Sequence, residues 1–186
     1  MRSAFVFAAL AAISLGGQTQ AATTVLGNGL AGICSQAAKA GEDNQPALEV
    51  CTMALETESM NRRDRAGTYV NRGVILLRRK QFEAARKDFE TAEKIDPTMG
   101  EAVVNRGASF VAERRYLEGL TEIDRGLGMN PEEPEKAYFN RALANEGLDD
   151  MKAAYLDYMK ALELAPNWEA PRHELSRFTV ENPTAK

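Results

Sequence analysis

Apolar residues recur three and four positions apart through the middle of the chain, which is the spacing of amphipathic helices. Tyr69, Gly73 and Leu76 fall on one helical stripe. A second stripe, with charged residues between its members, consists of Phe82, Ala85, Phe89 and Ala92. The pattern therefore predicts two successive helices, each with one buried face.

The two-helix pattern repeats along the sequence. Tyr-Val-Asn-Arg-Gly at 69–73 returns as Val-Val-Asn-Arg-Gly at 103–107 and as Tyr-Phe-Asn-Arg-Ala at 138–142. Each second half repeats in step and closes with a proline, at Pro97, Pro131 and Pro166. Because one helical hairpin cannot bury its apolar face alone, we expect neighbouring units to stack.

The period of about 34 residues, the spacing of large, small and aromatic residues and the closing proline resemble the tetratricopeptide repeat family. The resemblance implies an all-α, right-handed α-solenoid of stacked helix-turn-helix hairpins. Region 60–168 would hold three units, 66–99, 100–133 and 135–168. Region 30–59 is predicted to be a divergent N-terminal hairpin, and 169–186 a capping helix and tail. Gly119 and Gly126 replace the usual alanines, which predicts that the second helix of unit two is the weakest.

The N-terminus is typical of a secretory signal. Met1-Arg2 precedes an uncharged, mostly apolar run over 4–15 and then small residues. We expect a signal peptide at 1–21 with cleavage after Ala21, Ala22 being the second choice, and a flexible lead-in at 22–29. The alternative is an anchor or a buried helix, but a run of about 12 residues is shorter than the roughly 20 that span a bilayer. The protein is therefore expected to be exported, periplasmic or secreted, without membrane insertion after cleavage.

Composition narrows the function classes. The formal charge is −4 and the isoelectric point about 5.2, which argues against nucleic-acid binding through phosphates. One histidine and two cysteines leave few ligands for a metal. We expect no metal site and no cofactor.

Three arginines have an acidic residue sixteen positions later, on what would be the adjacent helix. We interpret them as repeated ion pairs that fix the hairpin angle. The predicted pairs are Arg72 with Asp88, Arg106 with Glu122, and Arg141 with Asp157.

Cys34 and Cys51 are seventeen residues apart, close to the offset of the Arg–acid pairs. A hairpin would place them opposite each other, and an oxidising compartment allows a disulfide. A redox pair is the alternative, but no Cys-x-x-Cys motif is present. We therefore predict a structural disulfide.

The resemblance implies a concave groove lined by the first helix of each unit. Asn71, Asn105 and Asn140 occupy a position that faces this groove in the family, and an amide can both donate to and accept from a peptide backbone. Expected beside them is an exposed apolar strip of Val70, Val74, Val104, Ala108, Phe139 and Leu143. The alternatives are a solvated polar face, and a strip covered by flanking segments such as the N-terminal lead-in.

The predicted function is a non-catalytic interaction module that binds a protein or peptide in the groove. Some family members grip a C-terminal carboxylate with basic residues, but Val70 and Val74 stand at two of those positions here, and only Lys136 is basic in unit three. One alternative is a structural or assembly factor of the cell envelope that acts through its convex face or edges. An enzyme using His173 is less favoured, because the sequence offers no matching nucleophile arrangement.

Overall fold

The computed structural model describes residues 19–25 and 29–178. Across these residues the protein is all-α, as the sequence predicts, with nine helices in chain order. They are α1 (Leu30–Lys39), α2 (Gln45–Thr57), α3 (Arg62–Arg78), α4 (Phe82–Ile95), α5 (Gly100–Ala112), α6 (Tyr116–Leu127), α7 (Pro134–Gly147), α8 (Met151–Leu164) and α9 (Glu169–Leu175). No helix within this described part is both long and apolar enough to cross a membrane.

Successive helices pack as hairpins, α1 with α2, α3 with α4, α5 with α6, and α7 with α8, while α9 covers α8. Each hairpin also contacts the next one, so the four hairpins form a solenoid. The first helices contact one another as well: α3 touches both α1 and α5, and α5 touches α7. They therefore form one continuous face.

The turn inside each repeat hairpin has the same backbone conformation. Lys80, Arg114 and Asp149 have φ angles of 60°, 61° and 62°, in the left-handed region. This conformation is unfavourable by roughly 1–2 kcal/mol for a non-glycine residue. Its recurrence at every repeat shows that the stacked helices, rather than a glycine, fix the turn.

Gly119 and Gly126 allow α6 to approach the backbone of α5. A Cβ atom at Gly126 would lie 2.9 Å from the backbone nitrogen of Val104. A Cβ at Gly119 would lie 3.0 Å from the carbonyl oxygen of Gly107. Both distances are shorter than a normal carbon contact, so these glycines serve close packing in unit two.

Candidate functional site

An extended segment, residues 19–25, lies along the face formed by α3, α5 and α7. We call it the N-terminal segment. Residues 20–23 and Val25 are buried, and Thr24 is exposed. Part of the predicted signal and lead-in thus occupies the predicted groove; the remainder of the signal, 1–18, and residues 26–28 lie outside the described residues.

Three asparagines hold the backbone of this segment. Asn71 accepts from the Thr23 amide at 2.9 Å and donates to the Thr23 carbonyl at 2.9 Å. Asn105 does the same with Ala21, at 3.1 and 2.8 Å. Asn140 donates to the carbonyl of Thr19 at 2.8 Å. Since every second residue of an extended chain faces the same way, successive repeats engage residues 23, 21 and 19.

The third of these contacts is incomplete. All three asparagines are fully buried, yet Oδ1 of Asn140 has no hydrogen-bond partner in the described ranges 19–25 and 29–178. The buried hydroxyls of Thr19 and Thr23 also lack one. Buried polar atoms are normally paired, and an unpaired one costs about 1–3 kcal/mol. The N-terminal segment therefore leaves part of the groove's hydrogen-bonding capacity unused.

The groove also fits the segment sterically at unit one. The carbonyl of Thr23 accepts a second hydrogen bond, from Oγ of Ser35 at 2.8 Å. A Cβ atom at Gly67 would lie 3.0 Å from Cγ2 of Thr23 and 3.2 Å from Cγ2 of Val25. Gly67 therefore makes room for the side chains of the bound segment.

The positively charged side chain of Arg78 lies at the edge of the groove. Arg78 donates from Nη1 to the carbonyl of Ala38 at 2.7 Å and from Nε to Oε1 of Gln20 at 3.3 Å. Within the part of the chain that the structure describes, no carboxylate forms an ion pair with it. Burial lowers the pKa of Arg78, and only the charge of Asp43 opposes this.

The expectation of an exposed apolar strip is wrong. Val70, Val74, Val104, Ala108 and Phe139 are at most 1% exposed, and Leu143 is partly buried. Phe139 packs on Tyr158 and Trp168, with ring centroids 5.4 and 5.0 Å away.

Val104 packs against α6 at Gly126. Val70, Val74 and Ala108 belong to a buried cluster that also contains Ala22 of the N-terminal segment. Val104 and Phe139 thus pack against neighbouring helices, which sequence spacing alone could not distinguish from the groove. The cluster that Val70, Val74 and Ala108 share with Ala22 agrees with the alternative that the N-terminal lead-in covers part of the strip.

The three predicted Arg–carboxylate pairs form. Their shortest distances are 2.7 Å for Arg72–Asp88, 2.8 Å for Arg106–Glu122 and 2.7 Å for Arg141–Asp157. Burial raises the pKa of Asp88, and the hydrogen bonds from Arg72 oppose that rise.

Neighbouring units are linked by further ion pairs. Glu93 of α4 binds both Arg106 and Arg125, at 3.0 and 2.6 Å, and Arg141 of α7 binds Asp124 of α6 at 2.7 Å. The ion pairs of these arginines therefore stabilise the stacking of the repeats as well as each hairpin.

Cys34 and Cys51 form a disulfide between α1 and α2, with their Cα atoms 4.8 Å apart. The bond joins the divergent N-terminal hairpin at its centre, as the seventeen-residue spacing predicts.

A polar cluster closes the C-terminal end, and sequence reasoning missed it. Glu146 accepts a hydrogen bond from the Tyr158 hydroxyl at 2.9 Å and two from Arg177 at 2.8 and 2.9 Å. Burial raises the pKa of Tyr158. The sequence does show Glu146 as an acidic residue at an otherwise apolar position of the repeat, but it does not show the partners of Glu146, which come from other parts of the chain.

The side chain of His173 is 72% exposed, and among the described residues no group of potential metal ligands occurs.

Comparison with known proteins bears on the repeats and on the fold. Residues 66–99 and 135–167 each match the tetratricopeptide repeat family. Hsp70-Hsp90 organizing protein 2 of Arabidopsis thaliana is 29% identical over 131 residues, 70% of this chain and 21% of that protein. Hsp70-Hsp90 organizing protein 1 of the same plant is 31% identical over 114 residues, 61% of this chain and 18% of that protein. The chain thus spans about a fifth of the length of these relatives.

Solved structures share the fold. The TPR domain of Arabidopsis OM64 superposes with a TM-score of 0.57 at 21% identity, over 63% of this chain and 96% of that one. MamA 41-end from Desulfovibrio magneticus RS-1 gives 0.58 at 18% identity, over 78% and 79%. The first TPR of Spaghetti (RPAP3), bound to the HSP90 peptide SRMEEVD, gives 0.55 at 21%, over 60% and 88%. The chain therefore contains tetratricopeptide repeats, and they stack into an all-helical solenoid.

Proposed function

We propose that this protein is a non-catalytic interaction module that holds an extended polypeptide in the groove on α3, α5 and α7. The observation that carries the proposal is the N-terminal segment itself, whose backbone is bound by Asn71, Asn105 and Asn140 at every second residue. Backbone recognition of this kind tolerates many sequences, because every residue except proline offers the same donor and acceptor.

The proposed ligand is an internal stretch of chain rather than a C-terminal carboxylate. A related fold is known with the HSP90 peptide SRMEEVD bound, and similar proteins are named as Hsp70-Hsp90 organizing proteins. In this chain Val70 and Val74 are fully buried. Lys136 is paired with Glu133 at 2.6 Å. No free cation at those positions would meet a terminal carboxylate.

Export would make the groove available. The N-terminal pattern of the sequence supports a signal peptide, and the Cys34–Cys51 disulfide suits an oxidising compartment such as the periplasm. Cleavage after Ala21 would remove the residues that Asn105 and Asn140 bind, while Thr23 would stay on Asn71. Units two and three would then be open to a partner in the cell envelope.

A peptide that copies residues 19–25, blocked at both ends, tests the proposal. The receptor is the full chain carrying Ala21→Pro and Thr23→Pro, which we call the open-groove variant. Proline lacks the N–H that donates to Asn105 or Asn71, so its own segment should leave the groove. We expect saturable binding by fluorescence anisotropy. Asn105→Ala in the same background removes two hydrogen bonds of about 1 kcal/mol each, a loss of about thirtyfold in affinity.

Asn167→Ala is the matched control, because Asn167 is exposed and lies away from the groove, between α8 and α9. It should leave peptide affinity unchanged. If the peptide fails to bind the open-groove variant, or binds it equally well after Asn105→Ala, the groove is not the binding face.

One observation favours a second candidate. The groove is filled by the protein's own segment, which leaves the convex face and edges as the surfaces free for a partner. A structural or assembly factor of the envelope would act in this way. Retention of the N-terminal segment in the protein isolated from its own compartment, shown by N-terminal sequencing, would support this candidate over the first.

A further inference from the structure

Two features show that the N-terminal segment is an imperfect occupant of its groove. Oδ1 of Asn140 is buried without a donor, whereas Oδ1 of Asn71 and of Asn105 each accepts a backbone N–H. Among the residues that the structure describes, Arg78 donates only to neutral oxygens, the carbonyl of Ala38 and the side-chain amide of Gln20. The groove thus offers one acceptor and one positive charge that this segment does not satisfy.

The charge determines the chemistry of a better ligand. A carboxylate adds charge–charge attraction to the hydrogen bonds of a guanidinium and can accept two of them in parallel, which a side-chain amide with one oxygen cannot do. Arg72 and Arg141, by contrast, have carboxylate partners within the protein. Arg78 is partly shielded from water, so pairing would also offset the cost of burying its charge. Lys39, which donates to the Thr24 hydroxyl, adds a second positive charge at the same end.

We propose that the groove selects an acidic extended segment, with a glutamate at the position that Gln20 occupies and its carboxylate on Arg78. This rests on the proposed function and specifies its ligand class. The segment runs in the direction of residues 19–25, from unit three towards unit one. The backbone N–H of its residue at the position of Thr19 donates to Oδ1 of Asn140. The side chains at the positions of Thr23 and Val25 are small, because they pack closely against α3 at Gly67.

Cleavage after Ala21 would strengthen this preference. It removes Gln20, which is the side-chain acceptor of Arg78, together with the residues on Asn105 and Asn140. Arg78 would then keep only the Ala38 carbonyl. The positive charge and the two vacant asparagines would lie along one path for an incoming acidic strand.

Three peptides that copy residues 19–25 test the inference on the open-groove variant. They carry glutamate, the native glutamine or lysine at the position of Gln20. We expect the glutamate peptide to bind about fivefold more tightly than the glutamine peptide, which is the affinity difference that a partly exposed ion pair of about 1 kcal/mol supplies. The lysine peptide should bind more weakly than either. The advantage of glutamate should shrink as salt is raised and should disappear in Arg78→Met.

A second measurement does not depend on the Arg78 variant folding. In the full chain with its native segment, Gln20→Glu should raise Tm and Gln20→Lys should lower it. If the three peptides bind equally but remain sensitive to Asn105→Ala, the groove binds peptides and the acidic preference is refuted. If no peptide binds, the proposed function fails, and an unchanged Tm in Gln20→Glu then refutes the preference as well.

Discussion

Replacing Gly126 with alanine is expected to destabilise the solenoid, although alanine is the better helix former. The added Cβ would lie 2.9 Å from the backbone nitrogen of Val104, 3.2 Å from the carbonyl oxygen of Gly100 and 2.6 Å from Cγ2 of Val104. Two of these neighbours are backbone atoms of α5, which cannot move without shifting the whole helix. Overpacking costs about 1–3 kcal/mol, against a helix-propensity gain of about 1 kcal/mol.

The expected net loss is about 1 kcal/mol, the middle of a range of about 0–2 kcal/mol, which corresponds to a fall in Tm of about 2–4 °C for a protein of this size. Thermal unfolding followed by circular dichroism measures it. Gly128→Ala is the matched control, since a Cβ there would be 3.4 Å from its nearest neighbour, the carbonyl of Arg125. That variant should be neutral or slightly more stable. A Gly126→Ala protein that melts at or above the wild-type temperature would show that these glycines weaken α6 rather than serve its packing.

Three further results are expected. Cys51→Ser, or reduction of its bond to Cys34, should lower the free energy of unfolding in urea by about 3 kcal/mol, because a loop of seventeen residues is no longer closed; an unchanged midpoint would contradict this. Phe139→Ala should cost about 3–5 kcal/mol because the ring is core rather than groove, and a variant as stable as wild type would restore the groove assignment. The hydrogen bond from Arg125 lowers the pKa of Glu93, so the stabilisation by its carboxylate is complete above the ordinary glutamate pKa of about 4.3 and is lost as pH falls through the lower folded value. Glu93→Gln should therefore cost less than about 1 kcal/mol at pH 7, because solvent screens the pair, and this cost should shrink steadily below about pH 4. A cost that does not shrink in acid would refute the ionic origin.

The corrected position of Phe139 shows where pattern reasoning fails. Its place in the repeat suggested a groove residue, but the ring lies against Tyr158 and Trp168. A helix stripe records which residues are buried and not which neighbour buries them. In a solenoid each first helix has neighbours on several sides, so adjacent positions such as Phe139 and Asn140 meet different surfaces.

The sequence alone was sufficient for the features that depend on local spacing. Helix periodicity and the 34-residue repeat predicted the stacked hairpins. A constant offset of sixteen residues predicted the Arg72–Asp88 pair and its two equivalents, because a hairpin brings such positions together whatever lies around it. The same geometry predicted the Cys34–Cys51 bond. Each of these contacts lies within one hairpin.

Only the tertiary structure decided which surfaces meet across repeats and across long stretches of chain. The hydrogen bonds between Asn105 and Ala21 join residues 84 positions apart, and no periodicity encodes that distance. The role of Gly126 likewise depends on how closely α6 approaches α5. The neutral hydrogen-bond partners of Arg78 depend on which residues pack beside it. Local pattern determines an element and its buried face, whereas occupation of the groove follows from the summed contacts of three repeats with one extended segment.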